Sequence, residues 1–241
     1  MFIYNICVKF TYKVIFSNLI YMHNTVKNLI DIDNDIKDYL NKLNINNNPK
    51  IIAVSKTFKI NQILPLIDYG HVDYGENKVQ EAIEKWPNIK QDFTNIKLHM
   101  IGKIQTNKVK HVIPLFDYIH SLDNIRLAEK ISNEEAKINK KLKIFIQVNI
   151  GNEDQKNGIE IENLQNFYSL CKEDLGLNII GLMCLPPKNN ISSKYFLEMN
   201  KLLNKINEKE LSMGMSNDYI DAATNGATFL RIGSKIFGER T

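Results

Sequence analysis

A lysine stands just beyond a short apolar run in this sequence: Ile51-Ile52-Ala53-Val54-Ser55 is followed by Lys56 and Thr57. At the carboxyl end of a buried strand, partial desolvation lowers an amine's pKa and makes it a nucleophile toward carbonyls. The alternative is a solvated loop lysine. Tyr74-Gly75-Glu76-Asn77 ends a second run, where Gly75 permits close approach of a ligand and Asn77 offers both donor and acceptor. Asn77 could equally cap the following helix. His99-Met100-Ile101-Gly102 leads into the basic turn Lys103-Ile104-Gln105-Thr106-Asn107-Lys108, either a mouth lining or a solvated helix start. Ser212-Met213-Gly214-Met215-Ser216, with Asp218 beyond, and Arg231-Ile232-Gly233-Ser234 each combine a glycine, a hydroxyl and a helix start. On neighbouring loops these make an anion cradle of backbone N–H groups, against the simpler reading of two helix caps. A lysine facing an anion site suits a phosphorylated aldehyde, its carbonyl in a Schiff base with Lys56 and its phosphate at Ser216 and Ser234. Pyridoxal 5′-phosphate (PLP) is such a molecule. Arg231 would lie near its ring, where a permanent cation disfavours a protonated pyridine nitrogen and leaves a weak electron sink.

Composition removes several other classes. Apolar residues make up 44% and charged residues 24%, which excludes a collagen, a disordered tail and a coiled-coil rod. The net charge of +4 is spread along the chain without a block of like charge, so nucleic acid is not an expected partner. Cys7, Cys171 and Cys184 have no paired spacing, which points to buried thiols in a reducing compartment. His23, His71, His99, His111 and His120 lack metal-ligand spacing, and no metal is expected. Residues 1–21 are apolar but interrupted by Lys9, Lys13, Asn5, Thr11 and Ser17, a poor membrane span. They also lack the basic start and small-residue cleavage site of a secretory signal. Residues 1–24 are therefore set aside as an N-terminal extension, either upstream of a true start at Met22 or an organellar targeting segment. The expected protein is cytoplasmic and monomeric, without membrane attachment.

The reactive residues need a scaffold, and the pattern from Thr25 onward supplies one. Val26, Leu29, Ile32, Ile36 and Leu40 recur at helical spacing before Asn46-Asn47-Asn48-Pro49. Eight strand-like runs then alternate with helices: 51–55, 72–76, 97–102, 118–123, 143–150, 178–185, 211–216 and 228–233. The intervening helices are expected over 60–69, 77–84, 105–113 (broken at Pro114), 126–138, 161–175, 195–206 and 219–225, with Pro87 as a stop. Such alternation predicts right-handed βαβ units. Eight of them predict an α/β fold, a single (β/α)8 TIM-type barrel with an extra N-terminal helix; a doubly wound open sheet is the runner-up. A chain of 241 residues holds one such barrel over residues 25–241. In barrels of this kind the site lies at the carboxyl ends of the strands, with phosphate after strands seven and eight.

Ala53-Val54-Ser55-Lys56, Tyr74–Asn77, His99–Lys108, Gly181-Leu182-Met183, Ser212–Ser216 and Arg231–Arg240 together resemble the pyridoxal phosphate homeostasis proteins, in order, across residues 25–241. The resemblance implies a barrel like the N-terminal domain of alanine racemase, with PLP on Lys56. It also implies a role in storing that cofactor and delivering it to PLP-dependent apo-enzymes. By the same resemblance Asn77 lies beside the ring, Arg231 at its nitrogen, and Ser216, Gly233 and Ser234 at the phosphate. Ile101, Met213 and Gly214 complete the expected cofactor-binding set, with no catalytic residue. Met100 departs from the family pattern, standing where an aromatic is common.

An amino-acid racemase is the competing enzyme reading. Racemisation needs bases on both faces of the cofactor, and racemases of this type draw the second, a tyrosine, from another domain. That domain is expected to be lacking here, with Tyr74 or Tyr118 as conceivable substitutes. A phosphate-binding barrel enzyme without PLP is a third reading, which requires Lys56 to be an ordinary loop lysine.

Overall fold

The computed structural model describes residues 22–153, 157–187 and 192–239. The extension through residue 21, Cys7 within it, and Arg240 lie outside the described residues. Eight strands pair in parallel and close on themselves in chain order. They are β1 (Lys50–Val54), β2 (Asp73–Glu76), β3 (Lys97–Met100), β4 (Tyr118–Leu122), β5 (Lys143–Val148), β6 (Ile179–Cys184), β7 (Glu210–Ser212) and β8 (Phe229–Ile232). The expected (β/α)8 barrel is therefore the observed one. Its strands read as apolar runs because helices cover one face and the barrel interior the other.

The helices are α1 (Asn24–Lys42), α2 (Ile60–Asp68), α3 (Val79–Lys85), α4 (Pro87–Asp92), α5 (Val109–Leu115), α6 (Ile125–Ile138), α7 (Leu164–Ser169), α8 (Ser192–Lys205), α9 (Tyr219–Thr224) and α10 (Ser234–Phe237). The extra helix α1 buries Val26, Leu29, Ile32, Ile36 and Leu40, the stripe its spacing predicts. It packs on α9 and α10. Tyr219 Oη donates to Asp35 Oδ2 at 3.0 Å and Asn28 Nδ2 to the Ile236 carbonyl at 2.9 Å, so α1 braces the loops that follow β7 and β8. Among the described residues no helix is long and apolar enough to cross a membrane.

Several boundaries differ from expectation. Pro87 does not leave a loop behind it: it is the first residue of α4, a position where its missing N–H costs nothing. Pro114 does not break α5, which runs to Leu115. The helix expected over 161–175 is a 3-10 turn, α7 and a π-helical turn over Leu170–Asp174, in series. Strand β7 stops at Ser212, and Gly214 just beyond it has φ +86.

Inside the barrel, Ile52, Tyr118, Phe145, Met183 and Phe229 form an apolar layer. Two histidines share that space: His99 stacks on Tyr118 with centroids 4.2 Å apart and His120 on Phe145 at 4.4 Å. Burial pushes the pKa of each below the ordinary 6.5; Asp73 partly opposes this at His99, while His99 and Arg231 reinforce it at His120. An unfolded chain takes up protons on these rings as pH falls below 6.5, whereas the barrel does not. Their contribution to stability is thus complete above that pH and lost below it. The slope is about 1.4 kcal/mol per pH unit for each ring. Urea midpoints that fall between pH 6.5 and 5 and are flat from 7 to 8 are the expected result; a flat profile across the acid arm contradicts neutral buried histidines.

Candidate functional site

Strand alternation points Ile52, and two residues on Val54, toward the barrel axis, so Lys56 continues the inward series. Val54 lies opposite Gly75 in the β1–β2 register, and continuing by two residues brings Lys56 beside Asn77. On the other side Ala53 pairs with Ile232, and a Cβ on Gly233 would meet Val54 at 3.4 Å. Lys56, Asn77, Gly233 and Ser234 therefore converge at one end of the barrel.

The backbone on both sides of Lys56 is clamped. Ser55 is buried; its amide donates to the Gly75 carbonyl at 3.0 Å and its hydroxyl to Glu76 Oε1 at 2.8 Å. Lys85 Nζ donates to the Ser55 carbonyl at 3.0 Å, to Glu76 Oε1 at 2.9 Å and to Glu81 Oε1 at 2.8 Å. Glu81 Oε1 in turn accepts the Thr57 amide at 2.6 Å. Thr57 has φ +68, a left-handed conformation costly for a β-branched residue. Strain of this kind persists only where surroundings impose it, and the residue it follows is Lys56.

Asn77 does not cap the next helix: the N-cap of α3 is Lys78. Its main chain instead receives Gly102, where a Cβ would sit 2.2 Å from the Asn77 carbonyl oxygen. That contact brings the end of β3 against the end of β2. Ile101 follows inward, its Cδ1 lying 3.2 Å from where a Cβ on Gly75 would be. The place a side chain on Gly75 would take is filled by Ile52, whose Cγ2 would lie 2.9 Å away, Ile101 and Val54, so Gly75 serves their packing rather than the close approach of a ligand that the sequence suggests.

At the seventh and eighth strands, a Cβ on Gly214 would lie 2.4 Å from that of Ala222 in α9, so the turn seats tightly on this helix. The Met215 amide donates to Asp218 Oδ1 at 2.6 Å, which shapes the loop. The Lys235 amide reaches Ser216 Oγ at 3.4 Å, so the two loops meet at this hydroxyl. Ser234 is exposed at the start of α10. Met213 is brought to the loop but not to the mouth: its side chain is fully buried between sheet and helices, leaving its main chain as its contribution.

Arg231 is 4% exposed. Its Nη1 donates to Ser212 Oγ at 2.7 Å and its Nη2 to the Cys184 carbonyl at 2.8 Å, both neutral acceptors. Burial lowers its pKa from the ordinary value, yet a guanidinium remains charged at any relevant pH. The floor of the site therefore carries a fixed cation that, among the described residues, forms no ion pair with a carboxylate; Asp218 acts on it only at a distance. An amine, a buried cation with spare N–H donors, and a hydroxyl between two glycine turns form a donor set that fits a phosphorylated pyridine aldehyde. The sequence motifs include Glu76 and Ser212 without assigning either a role, and Lys85 carries no signal in them. Alternation inward from Arg231 and the β7 pairing would have marked Ser212; no periodicity links Lys85 to Glu76.

Residues 28–241 match the family described as alanine racemase, N-terminal domain. A pyridoxal phosphate homeostasis protein from Aquifex aeolicus is 36% identical over 200 residues, spanning 79% of this chain and 87% of that protein. One of the same name from Haemophilus influenzae is 36% identical over 205 residues, spanning 80% and 86%. Among solved structures, PipY of Synechococcus elongatus with PLP bound aligns at TM-score 0.74 and 29% identity, over 84% of this chain and 100% of that one.

Proposed function

Since the chain belongs to the pyridoxal phosphate homeostasis proteins, within the alanine racemase N-terminal domain family, we propose that it is a non-catalytic PLP carrier. It holds the cofactor covalently through Lys56 Nζ, buffers its free concentration and passes it to PLP-dependent apo-enzymes. Asn77 and Ile101 flank the ring. The main chain of Met213 and Gly214, with Ser216, Gly233 and Ser234, receives the phosphate, and Arg231 faces the pyridine nitrogen. The barrel is the PLP-binding unit and works as a monomer. A cytoplasmic setting suits the buried, unpaired Cys171 and Cys184.

The observation that carries this reading is the buried Arg231, held by neutral oxygens at the floor of a mouth bordered by Lys56. Bound PLP supplies an electron-withdrawing ring, and a fixed cation at its nitrogen keeps that withdrawal weak. Such a site retains the cofactor without driving carbanion chemistry. The racemase reading loses its two candidate bases. Tyr74 is fully buried outside the barrel, donates to the His71 carbonyl at 3.2 Å, and has its pKa pushed well up by burial. Tyr118 opens β4 at the amino end of the strand and is stacked on His99.

Borohydride reduction of PLP-loaded protein followed by peptide mass analysis is expected to place the cofactor on Lys56, with no solvent deuterium entering the α-carbon of alanine. A colourless protein with an unmodified Lys56 peptide would leave the barrel enzyme without PLP as the better reading. Rapid exchange with inversion would favour the racemase.

A further inference from the structure

A line of polar side chains runs through the middle of the barrel, and holding a cofactor at its mouth leaves most of them unused. Arg231 Nη1 donates to Ser212 Oγ at 2.7 Å. Ser212 Oγ lies 2.8 Å from His120 Nδ1, His120 Nε2 lies 2.9 Å from His99 Nδ1, and His99 Nε2 lies 2.9 Å from Asp73 Oδ1. Arg231, Ser212, His120, His99 and Asp73 are each at most 9% exposed. Arg231 sits at the carboxyl end of β8 and Asp73 opens β2, so the line crosses the barrel from mouth to base.

The hydrogen-bond chemistry runs one way. Ser212 Oγ accepts from Arg231, and its own proton is then available to His120 Nδ1. That makes His120 the Nε2–H tautomer, which donates to His99 Nδ1. His99 is likewise the Nε2–H tautomer and donates to Asp73. With both rings neutral, every donor in the chain finds an acceptor; in the reverse sense His99 would need a second proton to meet the carboxylate. Burial favours neutral rings, and Asp73 is held below the ordinary carboxylate value by His99. His99 also feels Asp117 and Lys50 at a distance, and His120 feels Arg231. Stacking on Tyr118 and Phe145, with Phe229 tilted or edge-on against both rings, fixes their planes.

A buried guanidinium needs a counter-charge or a strong dipole. Among the described residues no carboxylate forms an ion pair with Arg231: Asp218 on the loop after β7 acts on it only through space, as does the Cys184 thiol, whereas the hydrogen-bonded relay ends on a carboxylate. We propose that His120 and His99 are positioning residues of the PLP site: through Ser212 they couple Arg231 to Asp73 as its counter-charge and so fix the guanidinium toward the ring nitrogen. This rests on the reading that Arg231 faces the ring. Aligned hydrogen bonds polarise one another, so a change of charge at the base of the barrel is felt at the mouth.

Histidine-labelled wild-type protein provides the test. Long-range nitrogen–proton spectra at pH 7.5 are expected to show both rings as neutral Nε2–H tautomers. PLP loading should move the ring nitrogens of His120, and less strongly those of His99, while exposed His111 on α5 stays still. Asp73→Asn keeps an acceptor for His99 and removes the charge. It is expected to retain the visible band, weaken PLP binding roughly tenfold and shift the pH midpoint of the band by about one unit. A pair of histidines that merely fills the core would leave that midpoint unmoved. A visible band with unshifted histidine nitrogens, or with either ring in the other tautomer, overturns the relay alone. Failure to form the band, with no adduct on Lys56, overturns the carrier reading and the relay with it. Should Asp73→Asn fail to fold, the wild-type spectra decide.

Discussion

Lys56→Ala is expected to abolish the visible band of PLP-treated protein and to remove nearly all of the thermal stabilisation that the cofactor confers. A ligand at a hundredfold excess over its dissociation constant stabilises the native state by about 2.7 kcal/mol. In a chain of 241 residues that corresponds to a rise in Tm of roughly 5–10 °C. The variant should show a rise of about 2 °C or less, from phosphate and ring contacts alone. Its apo form should melt close to wild type, because Lys56 is half-buried at a loop position rather than part of the packed core. Retained stabilisation together with a band that maps to another lysine would move the attachment point away from β1.

How far the sequence reveals this site follows from how each contact is made. Strands covered on both faces leave apolar runs, so the eight-fold alternation and the place of Lys56 after β1 were both readable. Prolines were ambiguous for a physical reason: Pro87 both ends α3 and begins α4, and a missing N–H is compatible with either role. The turns proposed to receive the phosphate were legible as glycine and hydroxyl pairs, and the requirement for glycine at position 214 is visible only once α9 packs against it. Asp73, His99, His120 and Ser212 lie on four different strands, and only closure of the barrel makes them neighbours. Period-two alternation marks them as inward, but their mutual register depends on pairing. The histidines therefore read as scattered in the sequence and as a continuous line in the fold.

The clamp around Lys56 carries the second large effect, on stability. Lys85→Met is expected to destabilise the barrel by about 3–5 kcal/mol at pH 8, the usual cost of leaving a buried charge without its partner. Glu76 is fully buried, and after the change its Oε1 would keep only Ser55 Oγ and Trp86 Nε1 as donors. Burial already raises the Glu76 carboxyl above its ordinary 4.5, against the pull of Lys85. Without the ammonium it rises further, so the folded variant protonates where the unfolded chain does not. The deficit should accordingly be largest at alkaline pH and shrink as pH falls, and below 4.5 the acid is mostly neutral in both states. Adding Glu76→Gln should recover much of the loss, since the pair is then replaced by neutral groups. Urea midpoints for wild type and for the single and double variants at pH 5 and 8 measure all three statements. A loss under about 1 kcal/mol at pH 8 would mean that water reaches Glu76 and that the clamp is weak. The same substitution removes the ammonium from the Ser55 carbonyl and from Glu81, which anchors the strained Thr57 amide. The restraints on both sides of Lys56 are then weakened, and PLP affinity should fall even at a pH where the fold holds.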